Sequence, residues 1–385
     1  MRKIIKIILI SILSLSLSGC SILSGFSSFF SNIKEEKMIA KIVSDNPIPD
    51  FEDRYYLSQL KDKDLAFVII AYEGLMNFKE KIDINLTFDS QQRPLELLEL
   101  IQYDCPEIYQ FTTNGSTNVS FNWILSKDEL VSMDITYLMN EEQYNLSYPV
   151  IQDKIQNLLN EIKSLNDFDK ELYVYDYIVD TCSYNENTIH YSSPYGVLIE
   201  QEAACLGFSR TMQWILKEAG MDCITVGGYS KEKESGHAWN ILKLEDEYYS
   251  LDLTADTNRK ENNGYKMYLY FNVTDDFIRK DYQLQSSLFN VPETKGTKYN
   301  YYIYTDHYVY NHQDYQTKIN DILSQTYLNQ NKECVIQFED KETYEEVLSN
   351  ISSVYSNWLM EMNLSFIPAS FANVEEYNVI YFQFN

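Results

Sequence analysis

Apolar residues recur along this chain with two different periods, and each period predicts its own kind of element. Upstream of the centre, the pattern predicts helices over 65–76, 95–101, 148–162 and 172–178, and strands over 82–88, 119–123 and 130–137. Downstream, it predicts a Tyr-rich edge hairpin over 299–310, helices over 319–327 and 344–359, and strands over 335–338 and 379–384. A binding surface for glycan or peptide is the alternative for the Tyr-rich segment. The mixture predicts an α+β fold.

Two flanking stretches share the same apolar spacing at an offset of 250 positions. The matched pairs are Leu86 with Ile336, Phe88 with Phe338, Leu97 with Val347, Leu98 with Leu348, and Ile101 with Ile351. Either a small α/β unit is duplicated on both sides of the centre, or the match is a coincidence. We favour coincidence, because any strand followed by a helix shares this spacing.

In the centre, a predicted helix over 205–219 places Cys205 in its first turn. Apolar residues recur at helical spacing until Gly220 ends the run. The N-terminus of a helix presents free N–H groups and positive potential, which lower the pKa of a thiol and can face a developing oxyanion. Position alone leaves a structural and a functional role equally open for Cys205, whereas Cys223 lies in an apolar run and is interpreted as core.

A hairpin is predicted to follow, with His237 in its first strand and Asp252 in its second. The first strand runs to Leu244 and the second from Tyr248 to Thr254. If the turn is tight, His237 lies opposite Thr254, and Asp252 is its diagonal neighbour on the same face. A carboxylate there would orient the imidazole and stabilise the imidazolium. The structural alternatives are a histidine satisfied by a nearby acid and an aspartate that only caps a turn.

These motifs resemble the transglutaminase-like superfamily, a branch of the papain-like fold. Its members have a cysteine at a helix start, a histidine in a following strand within a motif like GHAWN, and an aspartate in the next strand within one like LDLT. The resemblance covers about residues 168–275. It implies acyl transfer, with Cys205 as nucleophile, His237 as general base and acid, and Asp252 as orienting group.

The chain departs from the family pattern just before the cysteine. The family often has a glycine there, whereas this chain has Glu200-Gln201-Glu202. Glu202 would raise the thiol pKa if it pointed inward. Gln201 and Tyr195 are the candidates for an oxyanion partner, although solvent exposure is the favoured fate of Gln201. We expect Trp239 to pack beside the histidine.

The first residues indicate where the protein works. A basic start and an apolar run over 7–17, too short to favour a membrane span, predict a signal peptide. It ends in LSGC (17–20), which resembles the bacterial lipobox, where the signal is cut before a lipidated cysteine. We therefore expect an extracytoplasmic protein that is attached to the bacterial membrane through a lipid on Cys20. An ordinary signal peptide with a chance cysteine is the alternative.

The net charge restricts the class of binding partner, and the cysteine count restricts the possible disulfides. A net charge of −26 disfavours nucleic acid, because phosphate binding requires Lys and Arg. If Cys20 is lipidated, an odd number of cysteines remains, so at least one thiol is free or pairs between chains. We find no cluster of metal ligands and no phosphate-binding glycine loop in the sequence, and we predict neither metal nor cofactor.

The sequence predicts a fold in which a papain-like transglutaminase core lies between small α/β domains. The predicted segments are a signal peptide over 1–19, a tether over 20–40, an N-terminal α/β domain over 41–165, the core over 166–290 and a C-terminal α/β domain over 291–385. The expected activity is amide hydrolysis or transamidation through a Cys205 thioester, on extracytoplasmic protein, peptide or cell-wall substrates. The alternative is a non-catalytic surface binding or scaffold protein that keeps the motifs for packing.

Overall fold

The computed structural model describes residues 34–45, 51–113, 118–285, 290–310 and 312–384. These residues form both helices and strands, which confirms the α+β prediction. One compact unit ends at Asn140 and the next begins at Glu141; the predicted domain limits at 165 and 290 stay predictions. The predicted signal peptide and Cys20 lie outside the described residues. No helix in the described part of the chain is both long and apolar enough to cross a bilayer.

The first unit is an antiparallel three-stranded sheet with helices. Its elements are α1 (34–45), α2 (Asp62–Met76), β1 (Lys81–Thr87), α3 (Arg93–Asp104), β2 (Val119–Ile124) and β3 (Glu129–Ile135). The strand order is β1-β3-β2. Ile82, Ile84 and Leu86 alternate with exposed residues along β1, so one face of the sheet is buried, as the two-residue period predicts.

The second unit contains the central region and the C-terminal sheet. Its helices are α4 (Glu141–Ile162), α5 (Asp167–Thr181), α6 (Cys205–Glu218), α7 (Thr254–Asn263), α8 (Asp275–Ile278), α9 (Tyr301–Tyr304), α10 (Tyr315–Leu328), α11 (Lys341–Ser349) and α12 (Ile351–Glu361). Its strands are β4 (Ser183–Tyr184), β5 (Glu202–Ala203), β6 (Cys223–Ser230), β7 (Ser235–Leu244), β8 (Glu247–Leu251), β9 (Tyr282–Leu284), β10 (Tyr308–Val309), β11 (Glu333–Phe338), β12 (Ala369–Val374) and β13 (Val379–Phe384).

The central region packs α6 against an antiparallel sheet of order β8-β7-β6-β9. Two polar contacts fix the helix on the sheet. The Asn240 side chain of β7 donates to the carbonyl of Ser209 in α6, 2.9 Å away, and the Thr225 hydroxyl of β6 donates to Gln213, 2.6 Å away. Because these groups are buried, their hydrogen bonds allow little sliding, and the start of α6 is held at a constant place relative to β7.

Two predicted helices differ in extent from the observed ones. Helix α4 begins at Glu141, not at Tyr148, and continues through Pro149. Its first turn is acidic, which suits the positive end of a helix. The helix predicted over 344–359 is two helices, α11 and α12, which meet at Asn350. Strand β12 was not predicted.

The Tyr-rich segment is not the predicted edge hairpin. It forms the short helix α9 and the short strand β10. Tyr301 stacks on Tyr268 of the central region, with ring centroids 3.9 Å apart, and Tyr302 is fully buried and donates to the carbonyl of Met267. Ring burial therefore determines the conformation of this segment, and the alternation of its tyrosines does not.

The offset of 250 recurs in the strand pairing of two sheets, one near each end of the sequence. Strands β1-β3-β2 and β11-β13-β12 have the same order and the same antiparallel direction. The matched pairings are Leu86–Leu130 with Ile336–Ile380, Thr87–Glu129 with Gln337–Val379, and Ile124–Glu129 with Val374–Val379. A residue with positive φ precedes the last strand in both sheets, Asp128 and Asn378. The structure therefore favours a duplicated unit over the coincidence that we preferred.

Gly228 of β6 pairs directly with His237 and allows a close approach of neighbouring groups. A Cβ at this position would overlap the ring of Trp239 and the backbone of Gln283. Gly228→Ala should therefore lower the free energy of unfolding by about 1–3 kcal/mol, measured by urea denaturation. Gly236→Ala is the matched control, because a Cβ there has open space, and it should change stability by less than about 0.5 kcal/mol. Equal losses in both variants would contradict the packing argument.

Candidate active site

The structure brings Cys205, His237 and Asp252 together. His237 Nε2 lies 2.9 Å from Asp252 Oδ2, and both side chains are buried. The Cys205 side chain is close enough to the imidazole to help raise the pKa of His237. Because Nε2 faces the carboxylate, Nδ1 is the ring nitrogen that remains for the thiol. The arrangement is that of a nucleophile, a base and an orienting acid, and the catalytic roles themselves stay predictions.

Cys205 begins α6, as predicted. The preceding Ala204 is extended, and its methyl group cannot accept from the N–H groups of the first turn. These N–H groups thus stay available to a substrate oxygen. Cys205 is partly exposed, whereas the other four cysteines in the described ranges are buried; all five are free thiols. An accessible thiol at a helix start can act as a nucleophile.

Asp252 reaches His237 by a different route from the one predicted. The turn is tight, with Leu244 opposite Glu247, but β8 ends at Leu251. His237 therefore does not face Thr254 across the hairpin. Asp252 lies just beyond the strand, where Oδ1 accepts from the Thr254 N–H at 2.9 Å while Oδ2 faces the imidazole. The two alternatives that we considered for Asp252, cap and histidine partner, are both correct, one for each oxygen.

Tyr282 is a site residue that sequence reasoning missed. Its hydroxyl donates to Asp252 Oδ2 at 2.8 Å, and its ring lies against the imidazole with centroids 4.3 Å apart. Trp239 stacks on Tyr282 and lies beside His237, as expected. Tyr282 arrives through β9, which pairs with β6 near Gly228. No sequence signal distinguishes this residue among the 33 tyrosines of the chain.

A cleft of about 290 Å³ borders the imidazole. His237 and Tyr282 form part of its wall, and the turn between β6 and β7 contributes Lys233. Arg259 of α7 lines it as well. Lys233 Nζ lies 4.7 Å from the ring centroid of Tyr184. Tyr184 in turn is close enough to the Cys205 thiol for the two groups to interact electrostatically. Lys233 and Arg259 thus bring two cations to this cleft, and Glu232 and Asp281 line it as well.

The comparison with known families agrees with this geometry. Residues 156–253 match the family model described as the transglutaminase-like superfamily. The chain contains a transglutaminase-like core. No curated protein sequence matches the chain.

Two solved structures are similar to the protein. One is described as a TGase, with 18% identity and a TM-score of 0.26 over 45% of this chain and 50% of that one. The other is a candidate cysteine protease from Cytophaga hutchinsonii, with 16% identity and a TM-score of 0.25 over 36% of this chain and 61% of that one. The chain thus spans half of the first structure and about three fifths of the second.

The electrostatics of the transglutaminase-like core favour a charged imidazole. Burial by itself lowers the pKa of His237, but the adjacent Asp252 carboxylate and hydrogen bonds to Asp252 and Cys205 raise it to about 10. Burial likewise raises the pKa of Asp252, and the imidazole, with the Thr254 N–H and the Tyr282 hydroxyl, brings it below its ordinary value. At neutral pH the pair is therefore an imidazolium and a carboxylate.

The oxyanion candidates lie at the margin of the core. Gln201 has a positive φ, and its side chain is exposed to solvent, as the sequence analysis expected. Tyr195 packs against the ring of His190, with centroids 4.6 Å apart. An oxyanion role stays a prediction for both, whereas the N–H groups of the α6 first turn lie at Cys205 by their position. Glu202 does not point inward, because it is exposed and accepts from Asn185.

Metal ligands were not predicted in this core. Within the described ranges, no three or more His, Cys, Asp and Glu side chains are arranged to hold a metal ion.

Asp252→Asn should lower the pKa of His237 from about 10 to 6.5 or below, because burial then acts without the opposing carboxylate. The measurement is an NMR titration of the four histidine rings, in which His237→Gln assigns the resonance. Since the folded pKa exceeds the ordinary value, the pair stabilises the wild type fully below about pH 6.5 and loses this contribution as the pH rises through about 10. An unchanged midpoint in the variant would disprove the coupling.

Proposed function

We propose that the protein is a cysteine enzyme that transfers or hydrolyses acyl groups through a Cys205 thioester. The observation that carries the proposal is the partly exposed thiol at a helix start, which shares one buried imidazole with a buried carboxylate. The transglutaminase-like core supports it. Extracytoplasmic proteins, peptides or cell-wall peptides are the proposed substrates, and a lipid on Cys20 is the proposed anchor to the bacterial membrane.

The acylation half of the proposed mechanism uses the triad as follows. The thiol proton has passed to His237, which leaves an imidazolium beside a Cys205 thiolate, and Sγ attacks the amide carbonyl carbon. The first-turn N–H groups of α6 stabilise the oxyanion. His237 then donates its proton to the leaving nitrogen as the C–N bond breaks. Asp252 holds the ring in the orientation that keeps Nδ1 towards the thiol.

Deacylation reverses these roles with a new nucleophile. Water or an amine attacks the thioester carbon, His237 accepts its proton, and Cys205 leaves as the C–S bond breaks. Water gives hydrolysis and an amine gives transamidation. The cleft beside His237 has room for either nucleophile.

Cys205 should react with iodoacetamide at least about tenfold faster than any other thiol of the folded protein, because it is accessible and paired with an imidazole. Peptide mass spectrometry after timed labelling gives the rate for each cysteine. Cys205→Ala should abolish the fast labelling and all acyl transfer. Cys182→Ala is the matched control, since Cys182 is buried and burial raises its pKa to about 12.

Equal labelling rates for Cys205 and the buried thiols would contradict the proposal. That result would support the non-catalytic scaffold instead, in which the motifs serve packing.

Cys20→Ala should release the protein from the membrane, because the proposed lipid supplies the anchor. The wild type should enter the detergent phase of a Triton X-114 extraction and incorporate labelled palmitate in the cell. The variant should stay in the aqueous phase without label. Ser24→Ala is the nearby control and should behave as the wild type does. Membrane attachment that survives the loss of Cys20 would reject the lipid anchor.

A further inference from the structure

The cleft beside His237 contains the guanidinium of Arg259, which forms a long ion pair with Asp256. Arg259 Nη1 lies 3.8 Å from Asp256 Oδ1, which is beyond hydrogen-bonding distance. The nitrogen is buried, and it has no hydrogen-bond partner among the described residues. An unpaired buried donor is costly, so it indicates a missing acceptor. In a chain with a net charge of −26, acidic residues are abundant, yet none in the described ranges accepts a hydrogen bond from this nitrogen.

Asp256 forms an ion pair with Arg259 but accepts its hydrogen bonds from other donors. Oδ1 accepts from the Met267 N–H at 2.9 Å, and Oδ2 accepts from the Tyr268 N–H at 2.6 Å and the Tyr175 hydroxyl at 2.9 Å. This buried carboxylate serves to order the chain after α7. The part of the guanidinium that lines the cleft therefore remains for a group that enters it.

Lys233 adds a second cation to the cleft. Its ammonium lies over the ring of Tyr184 and has no carboxylate within ion-pair distance in the described part of the chain. Two acids also line the cleft. Asp281 accepts from the hydroxyls of Tyr270 and Tyr377, and Glu232 is exposed to solvent. Asp281 is thus engaged by tyrosine hydroxyls and Glu232 is solvated, and neither forms a hydrogen bond with the Arg259 guanidinium in the described structure.

The position of the cleft identifies the substrate part that it would hold. His237 gives its proton to the departing nitrogen and takes a proton from the incoming one, so a cleft bordered by the imidazole receives the amine. A guanidinium binds a carboxylate through two parallel hydrogen bonds, which a neutral carboxamide cannot match.

We propose that Arg259, assisted by Lys233, binds a carboxylate on the amine that leaves from, or attacks, the Cys205 acyl group. This inference rests on the proposed acyl transfer. In the step concerned, the amine nitrogen forms a bond to the thioester carbon, the C–S bond breaks, and the amine proton passes to His237, which restores the imidazolium beside the Cys205 thiolate. The favoured amines are amino acids and peptides with a carboxylate near the amino group.

The test uses one acyl donor and two amines. The p-nitrophenyl ester of N-benzyloxycarbonylglycine acylates Cys205, and release of p-nitrophenolate reports this step. Glycine and glycinamide then compete with water for the acyl-enzyme, at equal concentrations of free amine. Arg259→Gln should lower trapping by glycine about 10- to 100-fold relative to the wild type and leave trapping by glycinamide unchanged.

Two further variants separate charge from structure. Arg259→Lys keeps the positive charge and should recover part of the preference for glycine. Lys260→Gln makes the same change of charge one residue further along α7, where Lys260 Nζ pairs with Asp180 at 2.8 Å, and it should trap both amines as the wild type does.

The outcomes distinguish the two proposals. Release of p-nitrophenolate that is the same in Cys205→Ala would overturn the proposed function, and the amine site with it. Release that requires Cys205, with glycine and glycinamide trapping reduced equally by Arg259→Gln, would overturn the carboxylate site alone. A selective loss of glycine trapping supports both.

Discussion

The site depends on one buried ion pair, His237 with Asp252. Moving two charges out of water is costly, and their attraction compensates only if the geometry is good and the remaining lone pairs are satisfied. Here the contact is 2.9 Å, and Asp252 accepts two further hydrogen bonds, from the Thr254 N–H and the Tyr282 hydroxyl. The surrounding elements therefore supply donors to the carboxylate. Because the carboxylate is held, the imidazole keeps one orientation towards Cys205.

Tyrosine hydroxyls extend this support outward. Tyr282 packs next to Tyr270, whose hydroxyl donates to Asp281, and Tyr377 from the turn between β12 and β13 donates to the same carboxylate. A phenol satisfies an acid without adding a charge, which suits a chain with 57 acidic and only 31 basic residues. Since phenols and backbone N–H groups donate to the buried acids, Arg259 contacts Asp256 only through a long ion pair of 3.8 Å.

Features that depend on residues close together in the sequence were predicted correctly, whereas features that depend on tertiary contacts were missed. The start of α6 at Cys205 and the tight turn between β7 and β8 follow from apolar spacing and polar residues within a few positions. The end of β8 at Leu251 does not, because it depends on the onset of α7. Tyr282 reaches the site only through the pairing of β9 with β6, and Tyr301 packs on Tyr268, so both are placed by tertiary contacts that no local period encodes.

Comparison of the two similar sheets, β1-β3-β2 and β11-β13-β12, shows which sequence signal indicates a duplication. Apolar spacing within one strand and one helix does not distinguish duplication from coincidence. An equal offset that extends over two strands, the turn between them and a positive-φ residue does distinguish them, because it also requires equal loop lengths in the two copies. Both copies protect the same edge, by different means. The Gln337 N–H donates to the carbonyl of His307 beside β10, whereas the N–H of its counterpart Thr87 donates to the Glu35 carboxylate of α1 at 2.8 Å. An unpaired edge N–H invites association with another strand, so each copy needs an acceptor at this position, and each obtains it from the segment that precedes the unit.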